Sequence, residues 1–313
     1  MLRVFLCLCL VVLSTPLYAA AQVTGSLIGS GPSLDLSPRY PEPNQLVTVS
    51  LNDYANNAGG GTIRWFVDGQ ELPESTNQRQ ISIVSGPNGK NQLVRARVTT
   101  QDGLALNVEH TITPYYLDLI IEPQTRVPVH YTGRALPSVE SQVNVSAILS
   151  APLSPNQLIY SWRINDTVLY SGPVLGQNRA VFTMPQGSAI VSVSVSSGER
   201  LLASRSIEIF NTEPIVHFYA TNPLYGVSRL PVHERLILLG SSATVRAEPY
   251  YLDLATYNAP DFLEWTVAGG VSGTRTSNPY DLTVTRSGIG NVGFHVRNLT
   301  QVLQGTQGGF AVE

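Results

Sequence analysis

Three short stretches of this chain share one pattern, an apolar–polar alternation around a tryptophan: IRWFVDG at residues 63–69, YSWRIND at residues 160–166 and LEWTVAGG at residues 263–270. The tryptophans, Trp65, Trp162 and Trp265, stand 97 and 103 residues apart. Because strand side chains point alternately to opposite faces, each stretch predicts a strand with its tryptophan on a buried face. A repeat of about 100 residues matches one immunoglobulin-like β-sandwich, so the chain predicts one such domain around each tryptophan.

Each tryptophan stretch is preceded by another alternating strand and followed by a turn signal. The apolar face of the preceding strands carries Val49, Val145 and Val245, which we expect to pack against the tryptophans. Turn-forming pairs follow at Asp68-Gly69, Asn165-Asp166 and Gly269-Gly270. Outside the N-terminus no stretch of about eleven residues keeps a helical period, so we expect little helix. The predicted fold class is all-β, with tandem antiparallel immunoglobulin/PKD-like β-sandwiches.

Proline and extended aromatic runs interrupt the strand alternation near Pro114 and Asn211, and we place the domain boundaries there. Both junctions contain β-forming residues rather than Gly and Ser, which predicts a semi-rigid row of domains. The predicted organisation is a signal peptide at residues 1–21, a flexible segment at 22–33, and sandwiches at 34–114, 115–211 and 212–313.

The N-terminus has the features of a secretory signal. Arg3 precedes an apolar run at residues 4–13, and small residues at 19–21 offer a cleavage site. The apolar run would span only about 15 Å as a helix, short of a hydrocarbon core of roughly 30 Å, so we expect export and no membrane span after cleavage. Cys7 and Cys9 fall inside this segment, so the mature chain is expected to lack disulfides and cysteine chemistry.

The charge content argues against nucleic-acid binding. Charged residues make up 13% of the chain, against about 25% in an average protein. The formal net charge is −3, and the basic residues are scattered singly. Nucleic acid or an anionic membrane would require a clustered basic surface.

The sequence offers no catalytic or metal-binding signature. Residues 288–293 match GxGxxG, but a strand-like alternation follows, so we interpret them as a hairpin loop rather than a dinucleotide site. The histidines are His110, His130, His217, His233 and His295, and none is paired at ligand spacing. We therefore predict no cofactor, no metal site and no enzyme activity. Hydrolase activity stays open as a hypothesis, because a fold can bring distant residues together.

Five tyrosines are the candidate contact residues. The hexapeptide PYYLDL occurs at residues 114–119 and again at 249–254, which places Tyr115, Tyr116, Tyr250 and Tyr251 in matching local sequences. Adjacent strand residues face opposite sides, so one tyrosine of each pair would be free to meet a sugar ring or a partner. The other interpretation, which we prefer, is that both copies line a domain junction. Tyr225 is the fifth candidate.

Several motifs resemble those of exported tandem-domain proteins of candidate-phyla-radiation bacteria, the Patescibacteria. They are SPRYP at residues 37–41, LIYSW at 158–162, EPIVHFY at 213–219 and NPLYG at 222–226. The resemblance covers essentially the whole mature chain. It implies a surface or secreted Ig/PKD-like protein of unestablished role, in the setting of pilus or secretion machinery.

The predicted function is structural and adhesive: an exported bacterial surface or secreted protein that presents three Ig-like domains for protein or glycan contact. Such an array should expose an apolar or aromatic patch at a domain end. The alternative is a carbohydrate-binding or accessory module of an envelope enzyme, which would need a coplanar strip of exposed aromatic side chains.

Overall fold

The structure is a computed structural model that describes residues 32–53 and 61–313 of the chain. The predicted signal peptide at residues 1–21 lies outside the described residues, as does nearly all of the predicted flexible segment at 22–33.

The first group of strands forms two antiparallel sheets around Trp65. The strands are β1 (Ser33–Ser37), β2 (Leu46–Asn52), β3 (Thr62–Val67), β4 (Gln70–Glu71), β5 (Gln80–Val84), β6 (Gln92–Thr99) and β7 (Ala105–Ile112). One sheet has the order β1-β2-β5 and the other β4-β3-β6-β7. Their alternate side chains, Val49 among them, enclose one buried apolar cluster, which is the arrangement of an Ig-like sandwich.

The second group repeats this topology around Trp162. The strands are β8 (Leu117–Pro123), β9 (Gln142–Leu149), β10 (Ile159–Ile164), β11 (Thr167–Val168), β12 (Val174–Leu175), β13 (Arg179–Thr183), β14 (Ser188–Ser197) and β15 (Arg200–Phe210). The sheets run β8-β9-β13 and β11-β10-β14-β15, and β12 pairs with β10. The predicted boundary at 114 therefore lies in the short segment between β7 and β8.

The third group closes its sandwich differently, because two long strands pass through both layers. The elements are β16 (Ile215–Asn222), β17 (Gly226–Val232), β18 (Arg235–Leu236), β19 (Ser242–Tyr250), α1 (Leu254–Asn258), β20 (Phe262–Arg275), β21 (Asp281–Arg297) and β22 (Gly305–Val312). The first part of β21 pairs with β19, and its later part pairs with β22. One sheet, β17-β16-β19-β21-β22-β18, thus folds over on itself.

The three tryptophans occupy equivalent positions. Each is buried: Trp65 on β3, Trp162 on β10 and Trp265 on β20. Their indole N–H groups donate to backbone carbonyls: Trp65 to Gln78 at 2.9 Å, Trp162 to Gln177 at 2.8 Å and Trp265 to Pro279 at 3.0 Å. In every case the acceptor lies two residues before the strand that begins at 80, 179 or 281. The same contact therefore joins the two layers in all three sandwiches.

The glycines of the third sandwich lie where two strands bend, and this position differs from two of the predictions made from the sequence. Gly269-Gly270 does not end the tryptophan strand in a turn but lies inside β20, at a register shift opposite β21. Residues 288–293 are not a hairpin loop but part of β21. A Cβ on Gly270 would lie 2.5 Å from the Cα of Gly288, so the two strands cross in direct backbone contact where they change layers.

These observations confirm the predicted fold class of tandem antiparallel Ig-like sandwiches. In the described residues α1 is the single α-helix, and short 3-10 turns occur at Pro73–Ser75, Pro155–Gln157 and Leu169–Ser171. No helix within residues 32–53 and 61–313 is long and apolar enough to cross a membrane.

A methyl group at the crossing should destabilise the third sandwich. We expect Gly270→Ala to lower its unfolding free energy by about 1–3 kcal/mol, because the new Cβ meets backbone that cannot move away cheaply. Differential scanning calorimetry of the full chain would measure the shift. Gly240→Ala is the matched control, since its Cβ would meet no atom within 4 Å. Equal melting temperatures for the two variants would contradict this account of the bend.

Candidate functional site

The first PYYLDL copy lies where the first two sandwiches meet. Tyr115 and Tyr116 precede β8, and the Gly89 N–H of the first sandwich donates to the Pro114 carbonyl at 2.8 Å. The Tyr116 N–H donates to the hydroxyl of Ser150 at 2.8 Å. Tyr115 is half-buried, whereas Tyr116 is exposed.

The second copy lies where the second and third sandwiches meet. Tyr250 ends β19 and is buried, and Tyr251 follows it with a left-handed φ of 61°. The hydroxyl oxygens of Tyr251 and Tyr131 lie 2.9 Å apart, at hydrogen-bond distance. Tyr115 and Tyr116 precede a strand and Tyr250 ends one, so neither pair alternates along a strand. One member of the first pair, Tyr116, is exposed, but neither member of the second pair is. Both copies line a junction.

A long loop of the second sandwich, residues 124–141 between β8 and β9, docks against this second copy. We call it the docking loop. The Arg126 N–H donates to the Leu252 carbonyl at 2.7 Å, and the Tyr251 N–H donates to the Arg126 carbonyl at 2.7 Å. The Leu254 N–H donates to the Gln124 carbonyl at 2.9 Å. These backbone bonds join the two sandwiches as adjacent strands are joined in a sheet.

Behind these backbone bonds lies a buried polar network centred on Gln304. Its side chain is completely buried, and its Oε1 accepts the Asp253 N–H at 2.8 Å. Its Nε2 donates to the Ser138 hydroxyl at 2.9 Å and also to the Val139 carbonyl. Asp253 in turn accepts the Gln142 N–H at 3.1 Å. Buried polar groups that find such partners fix one relative orientation, because any shift would leave them unpaired.

Charge and aromatic contacts complete this junction. Arg126 Nη2 lies 3.0 Å from the Glu248 carboxylate, and its guanidinium lies 4.7 Å from the ring centre of Tyr257. Burial raises the pKa of Tyr251 to about 12, and the hydrogen bond to Tyr131 contributes to this rise. Burial, followed by the hydrogen bond to Tyr219, also raises the pKa of Tyr250. These phenols therefore stay neutral at physiological pH and act as packing and hydrogen-bonding groups.

The junction between the first and second sandwiches is more open. Arg205 Nη1 donates to the Leu117 carbonyl at 2.9 Å and to the Glu42 carboxylate at 3.1 Å, so it joins both sandwiches. Arg200 Nη2 donates to the Thr113 hydroxyl at 2.8 Å. A cleft of about 630 Å³ remains between residues 34–41, residues 110–113 and residues 200–202. The contacts here are polar and largely exposed to solvent, so they hold this junction less firmly than the buried network holds the other.

The opposite end of the third sandwich carries several strongly exposed apolar side chains. The pairing of β16 with β19 places Ile215 beside Tyr250 at the junction and Thr221 beside Thr244 at the far end. Four of these side chains lie in loops and one lies on β21, and together we call them the distal surface: Leu224, Tyr225, Ile237, Leu239 and, on β21, Ile289. Tyr225 is 87% exposed and Leu224 85%. A groove of about 690 Å³ runs beside Tyr225, between residues 220–228 and residues 236–244.

The structure shows where the histidines and acidic residues that could act as metal ligands lie. In the part of the chain that it describes, no group of three or more His, Cys, Asp or Glu side chains could hold a metal ion. His217 and His233 approach each other on the third sandwich, where partial burial and then the charge of His233 lower the pKa of His217. His130 packs edge-on against Tyr219 at 5.0 Å, and the Tyr219 hydroxyl lies 2.6 Å from that of Tyr250, whose ring His217 contacts.

Sequence reasoning identified the tyrosines but missed the docking loop, Tyr131 and Gln304. One signal was available, since the docking loop is longer than most connections within a compact domain, and such loops often have a binding role. Gln304 carries no local signal, because its partners lie more than 50 residues away along the chain.

No family model matches this chain, and no curated protein matches it. Among solved structures it is similar to the fibronectin(III)-like modules of Clostridium thermocellum CbhA, with 9% identity, a TM-score of 0.27, and coverage of 57% of this chain and 94% of that one. It is also similar to three N-terminal domains of the bacteriophage RB49 outer capsid protein Hoc, with 12% identity, a TM-score of 0.26, and coverage of 90% and 98%. A third likeness is to the Bacteroides ovatus glucan-locus protein SGBP-B, with 11% identity, a TM-score of 0.22, and coverage of 90% and 69%.

Removing the amide at the centre of the buried network should loosen the second junction. We expect Gln304→Ala to cost about 1–3 kcal/mol, because the Asp253 N–H and the Ser138 hydroxyl lose a buried partner. In calorimetry the unfolding transitions of the second and third sandwiches should then be separated by a larger difference in temperature. Gln307→Ala, an exposed glutamine on the neighbouring strand, is the control. Unchanged melting in the Gln304 variant would show that the network does not couple the two sandwiches.

Alkaline pH should weaken the same junction. The folded pKa of Tyr251, about 12, lies above the value of about 10 expected in the unfolded chain. The stabilisation is therefore fully present below about pH 10 and is lost as the pH rises towards 12. We expect the melting temperature to fall over this range, and to fall less in Tyr251→Phe, which cannot ionise. Tyr225→Phe does not touch the junction and should behave as the wild type. If the melting temperature falls equally with pH in the wild type and both variants, ionisation of Tyr251 is not the cause.

Proposed function

We propose that this chain is an exported, non-enzymatic binding protein that holds Ig-like domains in a fixed row and contacts a partner protein through the distal surface. The observation that carries the proposal is the cluster of exposed apolar side chains, Leu224 and Tyr225 foremost, at the end of the third sandwich away from the junction. Large apolar side chains grouped on a folded surface are typical of sites that another molecule covers.

The firm second junction supports this role. A surface at the end of a flexible tether would lose conformational entropy each time it bound, whereas a surface on a rigid neighbour is already oriented. Gln304 and the docking loop supply that rigidity by burying a polar network, in which both ends of the Gln304 amide are hydrogen-bonded, between two sandwiches.

The chemistry of the distal surface favours a protein over a glycan. Leu224, Ile237, Leu239 and Ile289 are aliphatic, and Tyr225 is the aromatic member of the group. Sugars are held by aromatic platforms with convergent polar groups, whereas aliphatic groups gain free energy by packing against other apolar side chains. The other exposed aromatic side chains of the described region, Tyr116, Tyr170 and Phe210, belong to the second sandwich or to its junction with the first and form no strip with Tyr225.

Export rests on the N-terminal sequence, with Arg3, the apolar run at 4–13 and the small residues at 19–21. The sparse charge and the absence of cysteine from the mature chain agree with a stable module that needs no redox chemistry outside the cell.

Substituting the distal surface should abolish partner capture without unfolding the protein. The double variant Leu224→Ser/Tyr225→Ser removes two exposed apolar groups, and we expect at least a tenfold loss of retained protein when the immobilised mature chain is incubated with envelope extract. Quantitative mass spectrometry of the retained proteins is the measurement. Circular dichroism should be unchanged, because both side chains are solvent-exposed.

The matched control is Leu104→Ser, which removes an equally apolar exposed residue from the first sandwich. It should leave capture intact. Capture that survives the double variant, or that falls equally in the control, would contradict the assignment of the distal surface. A glycan array probed with the same proteins would support the alternative if it gave a signal that Tyr225→Ser removed.

A further inference from the structure

The last strand of the third sandwich is an unprotected sheet edge. It reads GTQGGFAV over Gly305–Val312 and contains no charged residue and no proline. Exposed edges normally carry charges, proline or bulges, because an open row of backbone groups invites another strand to pair. One side of β22 pairs along its whole length with β21 without a register shift, whereas the other side pairs with β18 through Ala311 and Val312 alone.

The hydrogen-bond pattern shows which groups face the open side. In an antiparallel pair, alternate residues direct their N–H and C=O towards the partner. The Asn298 N–H donates to the Gln304 carbonyl at 2.8 Å, so the even-numbered residues of β22 face β21. The Ala311 N–H donates to the Glu234 carbonyl at 2.9 Å, on the opposite side. Gly305, Gln307 and Gly309 therefore direct their backbone groups to the open edge.

A groove of about 870 Å³ lies along this edge. Its apolar lining consists of Val216, Phe218 and Val232, with His217 between the first two. Its far wall is the segment 231–235 that leads from β17 to β18, which carries His233, Glu234 and Arg235. Gly308 and Gly309 form the near wall, so no side chain of the edge strand obstructs the approach. The groove thus combines free backbone groups on one wall with an apolar lining.

The groove lies between the first strands and the last strand of the third sandwich. In the other two sandwiches side chains close the gap at this position. In the second sandwich, Arg205 of β15 reaches across to the carbonyl of Leu117 in β8. In the first sandwich, β7 carries the exposed residues Glu109 and His110, and Arg200 of the next sandwich bonds to Thr113 beside it. In the third sandwich the arginine bridge, Arg235 to Glu313 at 3.3 Å, lies at the end of β22. Residues 305–309 of β22 carry no charge, so the gap beside them remains accessible.

We propose that this groove receives an extended strand of another polypeptide, which adds to the sheet along residues 305–309 and places alternate small apolar side chains against the apolar lining of the groove. The occupant is a single extended strand, because the free groups on this wall are the backbone N–H and C=O groups of one strand edge. Backbone bonds supply the affinity in this mode of recognition, and the pocket beneath selects the alternate side chains. The groove and the distal surface are separate sites.

The test uses a labelled peptide, acetyl-KTVTVTVTK-amide, and the full mature chain. We expect saturable binding by fluorescence anisotropy at micromolar to millimolar peptide, with slowed amide hydrogen exchange at Gln307 and Gly309. Two further peptides carry N-methyl groups either on the three valines or on the four threonines. In a paired strand, alternate residues direct their N–H groups to the same edge, so one N-methylated peptide should lose binding and the other should keep it. Which of the two peptides still binds also shows the direction of the bound strand.

Val232→Asp places a charge in the groove and should weaken peptide binding at least tenfold. Leu230→Asp, an exposed position on the same strand outside the groove, is the matched control and should bind normally. Absence of binding at millimolar peptide, equal binding of both N-methylated peptides, or exchange protection that maps elsewhere would overturn the proposal. None of these outcomes depends on the distal surface, which the Leu224 and Tyr225 variant tests separately.

Discussion

The whole architecture depends on one repeated contact, the buried indole that lies between two sheets and donates its N–H to a backbone carbonyl of the opposite layer. Burial of the ring supplies apolar free energy, and the hydrogen bond prevents the indole nitrogen from being left unpaired. The acceptor stands two residues before the next strand of the other sheet, so each indole also fixes where that strand begins. Residues 22–313 contain no cysteine, so no disulfide within the sandwiches can take over this task.

The sandwiches differ most in how they close the gap between the first and last strands. A sandwich of two open sheets leaves unpaired edges, and each edge must be covered, charged or used. The second sandwich covers its gap with Arg205, and the first is bordered by a hairpin of its neighbour. The third carries its long strands over the far end and leaves the edge of β22 free. Edge protection thus varies along a chain whose core contacts are the same throughout.

Much of the fold could be predicted from the sequence, because period-two alternation acts locally. The strands around Trp65 and Trp162 lie where the pattern indicates. The glycines at 269–270 and 288–293 misled the prediction, since glycine is equally common in turns and where two backbones touch. Only the pairing of β20 with β21 distinguishes the two cases. The junction could not be predicted either, because Gln304, Ser138 and Asp253 meet across large sequence separations and none has a pattern of its own.

The two PYYLDL copies show how context decides what a motif does. The first is an extended link before β8, in which Tyr116 remains exposed, and the second ends β19 and meets the docking loop, which buries Tyr250. Identical side chains therefore contribute very different buried areas, and the second copy contributes more to stability because apolar burial scales with area. A rigid second junction and a more open first one follow from this difference. The third sandwich, with both its free edge and its distal surface, is thereby presented in one fixed orientation on the second.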